Sequence, residues 1–142
     1  MEVSTEAMLA RAHYFLAVPL QHALGAFLLD EQDPVAGVGF VVGELASNGA
    51  GGLHAAALGT MMELAGYFAI LPVLAEDEHA VTHSITTQLS AGALQGDTVS
   101  VRGALDRRTR RLAFVSVTAQ VDERIVARSQ IVKSIVKRTG AP

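Results

Sequence analysis

Apolar residues recur at helical spacing in two segments of the chain. In residues 4–17 they follow a Ser-Thr pair that suits a helix N-cap, and Pro19 is expected to end this first helix. From residue 53 to residue 71 nearly every side chain is apolar, and nothing stronger than two glycines interrupts the run before Pro72 stops it. This pattern predicts a second, long helix that is buried on most of its sides.

The rest of the chain has the pattern of β-strands. Residues 23–49 hold two such runs about the turn sequence Asp-Gln-Asp-Pro, which predicts a hairpin in which Val38, Phe40 and Val42 share one face. After an acidic loop, short turns separate four further predicted strands of an antiparallel meander, which span residues 81–90, 98–106, 112–121 and 125–136.

These elements follow one another as helix, two strands, long helix and four strands. The chain of 142 residues fits one domain, which we predict to span residues 1–142 with a helical segment at residues 1–19. An antiparallel sheet of about six strands can bury one apolar helix by curling around it. The pattern therefore predicts an α+β protein of the hotdog fold with an additional N-terminal helix.

Composition narrows the choice of partners. Half of the residues are hydrophobic, 18% are charged and the mean hydropathy is +0.34, so part of the apolar surface is expected to meet a second copy of the chain. The net charge of −3 provides no positive field for nucleic acid or an anionic membrane. The acidic start and the lack of a long apolar span favour the cytoplasm. Without cysteine, disulfides, thiolate zinc sites and cysteine nucleophiles are excluded.

One acid, Glu63, interrupts the apolar helix, and a glycine-rich turn precedes that helix in the stretch NGAGGLHAAALGTMMELAGYF. The unpaired N–H groups at a helix start can polarise a carbonyl, and Ala55 N–H, with Ala56 beside it, is the expected donor. A lone acid in a helix usually lies on the solvated face, but the neighbours of Glu63 offer no polar stripe, so it is a candidate nucleophile or general base. Nine residues of helix separate His54 from Glu63 by about 13 Å and half a turn, so a site that uses both ends needs two chains.

The same stretch resembles the acyl-CoA thioesterases of the hotdog superfamily, in particular the phenylacetate-pathway (PaaI-like) type. Their signature is an Asn, a Gly-rich turn, His-Gly-Gly at the start of the central helix and an acid nine residues after the His. The matching residues here are Asn48, Gly51, Gly52, His54, Ala55, Ala56 and Glu63. The resemblance extends over about residues 20–136, with Ala55-Ala56 in place of Gly-Gly, and it implies a homodimer, or a homotetramer made of two dimers.

The resemblance also suggests roles for the residues around the acid. Asn48 orients the substrate carbonyl or the attacking water, or it is simply a turn residue. His54 is more simply a structural residue at the helix start than a base. Thr82 corresponds to a hydroxyl that holds water near the acid, yet Val81, Ile85 and Leu89 look like the core face and would point Thr82 outward. Tyr67 either bonds to the carboxylate or fills the wall of the slot.

Substrate contacts are expected in two further places. Gly52 and Ala56 lie where the thioester would approach the backbone, and the β-turn cluster of Arg107, Arg108 and Arg110 either contacts the phosphates of coenzyme A or is merely solvated. His79 and His83 lack a carboxylate at matching spacing, so we expect no metal. No cofactor is expected either, because coenzyme A belongs to the substrate.

The resemblance therefore implies an enzyme that hydrolyses acyl-CoA thioesters to a free acid and coenzyme A. One alternative is a non-catalytic module that binds acyl-CoA as a sensor or carrier, which the Ala-Ala departure favours. A hotdog hydratase or dehydratase ranks third because no convincing Asp/His pair is present, and a protein-interaction module is a further alternative. The absence of a Gly-x-Ser-x-Gly motif excludes a serine-hydrolase elbow. Aryl and medium aliphatic acyl groups would both suit the apolar slot.

Overall fold

The computed structural model describes residues 2–138. These residues form three α-helices: α1 (Thr5–Leu16), α2 (Pro19–Ala23) and α3 (Ala55–Ala69). They also form six strands: β1 (Phe27–Leu28), β2 (Val38–Val41), β3 (Glu78–Leu89), β4 (Thr98–Arg108), β5 (Leu112–Val121) and β6 (Arg124–Lys137). Two 3₁₀ turns lie at Pro34–Ala36 and Leu71–Val73. Within the described residues, no helix is both long and apolar enough to cross a membrane.

The strands form one antiparallel sheet in the order β1-β2-β4-β5-β6-β3, and α3 packs across its centre. The helix comes so close to the sheet that a Cβ on Gly103 would lie 2.9 Å from the carbonyl oxygen of Ala65. Val38, Phe40 and Val42 are fully buried beneath it, as their alternation predicted. The hotdog fold and the additional N-terminal helix are therefore confirmed.

The first β run is shorter than its sequence suggested. Pro19 does not merely end α1, because it occupies the first turn of α2, where its missing N–H would have no acceptor in any case. Residues 19–23 are therefore helical, and β1 keeps only Phe27 and Leu28, paired with Gly39 and Val38 of β2. The predicted hairpin is present, but it is a short one.

A β-bulge changes the phase of β3. The pairing of β3 with β6 shifts between Thr82 and Ser84, which leaves His83 as an extra residue. Before the bulge Thr82 pairs with Lys133, and after it Ile85 pairs with Ile131, so these pairs share the face that carries α3. The bulge therefore turns Thr82 toward the helix.

The expectation that Val81, Ile85 and Leu89 form one core-facing row is wrong. Val81 lies on the opposite face from Thr82, whereas Ile85 and Leu89 lie on the helix side, because the bulge reverses the alternation between them. All three side chains are exposed, by 44%, 39% and 57% respectively. They lie along β3, which forms one edge of the sheet.

An ion pair holds the start of β3. Arg108 forms a bidentate pair with the Glu78 carboxylate, with N–O distances of 2.9 and 2.7 Å, and it also donates to the carbonyl of Val73. Glu78 accepts a further bond from the N–H of Ala75. The hydrogen bonds from Arg108 are the main reason that the pKa of Glu78 is lowered from its usual 4.5 to about 2.

We expect this pair to make stability depend on pH. Because the carboxyl pKa is lower in the folded chain, its stabilisation is complete above about pH 4.5 and is lost as the pH falls toward 2. Glu78→Gln should cost about 3 kcal/mol of unfolding free energy at pH 7 and progressively less below pH 4.5. Urea unfolding from pH 7 to pH 2.5 measures this difference, with Asp77→Asn in the exposed pair with Lys137 as the control. A cost that does not vary with pH would contradict it.

Candidate active site

Glu63 lies midway along α3 in the wall of a cavity. The cavity has a volume of about 360 Å³, and Phe15, Leu20, Leu64 and Tyr67 provide much of its apolar lining. The Glu63 side chain is 38% exposed, and its Oε1 accepts a hydrogen bond from the hydroxyl of Thr82. The acid thus faces a slot of the size that small-molecule sites commonly have.

A lysine that the sequence reasoning missed completes this arrangement. The Nζ of Lys133 lies 3.1 Å from Thr82 Oγ1 and 3.8 Å from Glu63 Oε1, and its side chain is only 6% exposed. Burial lowers the pKa of this ammonium group, and the nearby Glu63 carboxylate partly opposes that effect. Lys133 could have been found from its spacing, because it lies in the same inward row of β6 as Ile131 and Ile135.

Aromatic rings form one wall of the cavity. Tyr67 stacks edge-on against Phe15 at 4.7 Å between ring centroids, and His79 lies parallel to Phe15 at 5.8 Å. Among the described residues the Tyr67 hydroxyl has no hydrogen-bond partner, so it does not bond to Glu63 here. Burial raises the pKa of Tyr67 and lowers the pKa of His79, so both side chains are neutral near pH 7.

The start of α3 forms a second group of predicted residues. His54 is the N-cap of α3, and its Nδ1 accepts a 3.0 Å hydrogen bond from the N–H of Ala56. Nothing among residues 2–138 accepts from the N–H of Ala55. His54, Ala55 and Ala56 are all exposed, so the N–H of Ala55 is an exposed free donor at the positive end of the helix.

Asn48 shapes the turn that leads into this helix. Its side-chain oxygen accepts from the N–H groups of Ala50 at 2.8 Å and Gly52 at 3.1 Å, and Gly52 in turn leaves room for the Asn48 amide. The turn role is therefore present in the structure. Asn48 and Gly52 lie beside the exposed start of α3.

One chain brings together only part of the predicted site. Glu63, Thr82 and Tyr67 line the same cavity, whereas Asn48 and His54 belong to the helix start, about 13 Å of helical rise away. Within residues 2–138, no group of three or more histidines and acidic residues is placed to hold a metal ion.

The arginine cluster was expected in a turn, but β4 is longer than predicted, so Arg107 and Arg108 are its last two residues and only Arg110 lies in the turn to β5. The guanidinium group of Arg108 is engaged by Glu78 and is not simply solvated. Arg107 and Arg110 are exposed. Contact of these two with coenzyme A phosphates remains a prediction.

Sequence comparison places the chain among thioesterases. The family of fluoroacetyl-CoA-specific thioesterases (FlK) matches residues 42–139, a region that contains Glu63, Thr82 and Lys133. No curated protein sequence matches the chain.

Solved structures share the fold at low sequence identity. A thioesterase family protein from Silicibacter pomeroyi is 18% identical, with a TM-score of 0.81 over 94% of this chain and 99% of that one. The Escherichia coli PaaI protein from the phenylacetic acid degradation operon is 16% identical, with a TM-score of 0.78 over 97% and 98%. A Bacillus halodurans protein solved with CoA is 15% identical, with a TM-score of 0.76 over 92% and 84%. Because the family match covers most of the sequence, this chain belongs to the fluoroacetyl-CoA-specific thioesterase family and is an acyl-CoA thioesterase of the hotdog fold.

Proposed function

We propose that this enzyme cleaves acyl-CoA thioesters with Glu63 of one chain and the first turn of α3 from a second copy. The observation that carries the proposal is the hydrogen bond from Thr82 to Glu63 in the wall of an apolar cavity. The carboxylate attacks the thioester carbonyl or takes a proton from the attacking water. The N–H of Ala55 from the second copy stabilises the negative charge that develops on the carbonyl oxygen.

The position of Glu63 supports its assignment as the reacting acid. One of its oxygens is held by Thr82, and no group in the described part of the chain donates to the other, Oε2. The acid is therefore oriented while one oxygen stays free for the substrate or for water. A carboxylate on an ordinary solvated helix face would lack both the cavity and the fixed partner.

The unpaired edge of β3 supports pairing with a second copy of the chain. In the described chain β3 pairs with β6 on one side, and its other edge carries no strand. Long apolar edges are strong templates for pairing with another chain, and Ile85 and Leu89 leave apolar surface exposed beside this one. Pairing at β3 would bring a second α3 toward the Glu63 cavity, with its exposed Ala55 amide as the available donor.

The shape of the cavity supports an acyl group larger than two carbons. Its lining includes two aromatic side chains, Phe15 and Tyr67, and several aliphatic ones. A volume of about 360 Å³ exceeds what an acetyl or fluoroacetyl group would fill. We therefore place aryl-acetyl and medium aliphatic thioesters ahead of two-carbon ones as substrates of this chain.

A thiol-release assay over a panel of acyl-CoA esters tests the proposal. The panel contains acetyl-, fluoroacetyl-, hexanoyl-, octanoyl-, benzoyl- and phenylacetyl-CoA, and free coenzyme A is measured with a thiol reagent. We expect turnover with the larger esters to exceed that with acetyl-CoA by at least about tenfold in kcat/KM, because burying each CH₂ contributes about 0.8 kcal/mol. Preference for a two-carbon ester contradicts the size assignment. Retention of intact ester without thiol release contradicts hydrolysis itself.

A further inference from the structure

Lys133 is a buried cation that faces the acid of the site. Its side chain is 6% exposed, and lysine is almost never buried to this extent without a partner. Its neighbours in β6 on the same face, Ile131 and Ile135, are apolar. Its polar contacts in residues 2–138 are Thr82 Oγ1 and Glu63 Oε1.

The chemistry of the three side chains fixes the direction of their hydrogen bonds. An ammonium group can only donate, so Thr82 Oγ1 accepts from Lys133. The threonine hydroxyl has a single proton, which then goes to Glu63 Oε1. The hydrogen bonds therefore all point in one direction, from Lys133 on β6 through Thr82 on β3 to Glu63 on α3.

We propose that Lys133 is a positioning residue that orders the Thr82 hydroxyl and, through it, Oε1 of Glu63, so that Oε2 is the reacting oxygen. This inference rests on the proposed role of Glu63 and extends it to a second charged residue. Lys133 acts through Thr82, and it does not touch the substrate's reacting atoms.

No other charge in the described chain competes for this role at close range. From α3 the groups that face Lys133 are Glu63 and the neutral Tyr67, and from β3 they are Thr82 and His79. Burial is the main reason that the pKa of His79 is lowered, so the imidazole is neutral at the pH of an ordinary assay. Lys133 is thus the one described cation within ion-pair distance of Glu63.

A purely structural lysine would behave differently when it is removed. Burial disfavours the ammonium form, so replacement by an apolar side chain of similar length should leave the folded chain as stable or make it more stable. Lys133→Met should therefore lower activity without lowering the free energy of unfolding. A residue kept only for stability would lose both together.

The test compares Lys133→Met with Lys137→Met, a matched change at an exposed lysine on the same strand. With the best ester of the panel, we expect Lys133→Met to lower kcat by about tenfold or more with little change in KM, while Lys137→Met stays near the wild type. Lys133→Arg should recover part of the rate.

Two further variants separate the possible failures. Thr82→Val and the Thr82→Val/Lys133→Met double variant should lose similar activity, since both break one hydrogen-bonded unit. If Glu63→Gln is inactive but Lys133→Met keeps wild-type kcat, the role of Lys133 is wrong and that of Glu63 stands. If Glu63→Gln is active, the proposed function fails and the lysine role fails with it. A lower melting temperature that accounts for all the lost activity would also overturn the lysine role.

Discussion

Glu63→Gln should abolish turnover of the best acyl-CoA ester, with a fall in kcat of at least about a thousandfold. Glutamine keeps the shape of the side chain and an oxygen that can accept from Thr82, so the cavity should stay intact. What it loses is the negative charge, which either attack on the carbonyl or removal of a proton from water requires. Initial rates of thiol release at saturating ester measure the effect.

Because Lys133 faces Glu63, the effect of this variant on stability must be separated from its effect on catalysis. Removing one partner leaves Lys133 buried without a counter-ion, so Glu63→Gln alone is expected to melt at a lower temperature than the wild type. The double variant Glu63→Gln/Lys133→Met removes both charges and should recover the melting temperature without recovering activity. Glu123→Gln, at an exposed turn, controls for the loss of a charge elsewhere. A Glu63→Gln rate within tenfold of the wild type would remove this carboxylate from the mechanism.

The elements that could be predicted from the sequence are those whose pattern is long and locally consistent. Helix α3 has an apolar run of several turns, an N-cap at His54 and a proline stop, and the structure places it within two residues of the predicted bounds. The last three strands alternate regularly between short turns, and β5 matches its predicted bounds at both ends. In these segments local preference and burial point to the same structure.

The elements that could not be predicted depend on long-range pairing. The bulge at His83 is a shift in the register with which β3 pairs with β6. Nothing in the local sequence of β3 indicates that its inward and outward positions exchange there. Without the bulge Thr82 would point away from Glu63, so the alternation of side chains could not predict the hydrogen bond between them. The inward position of Lys133 could be inferred from its spacing in β6, but its contacts could not, since its partners lie on two other elements.

The separation of the two groups of site residues was predictable because it follows from helix geometry alone. Any chain with a helix start and an acid nine residues later keeps the two ends about 13 Å apart. The structure adds which backbone N–H groups at the start of α3 already have a hydrogen-bond acceptor. The Ala56 amide is occupied by His54, whereas the Ala55 amide has no acceptor in the described chain. The Ala55 N–H is therefore the backbone group whose removal we test.

Ala55→Pro removes that one N–H, and we expect kcat to fall by about a hundredfold to a thousandfold. Proline is well tolerated at the first position of a helix, and the backbone of His54, with ψ of 130°, already suits a residue that precedes proline. The cap from Ala56 to His54 should remain, so the melting temperature should change little. Ala55→Val, which keeps the N–H with similar bulk, is the control. Equal activity of the two variants would show that bulk and not the amide matters.

Co-expression of Ala55→Pro chains with Glu63→Gln chains then asks whether the two ends come from different copies. If they do, a mixed dimer contains one site with both lesions and one site with neither. A random mixture of equal parts should recover about a quarter of the wild-type specific activity, although each variant alone is nearly inactive. If both groups act within one chain, every site carries a lesion and the mixture shows no recovery. Recovery therefore supports a shared site in a way that neither variant can alone, and its absence, with mixed dimers demonstrated by mass, would contradict sharing.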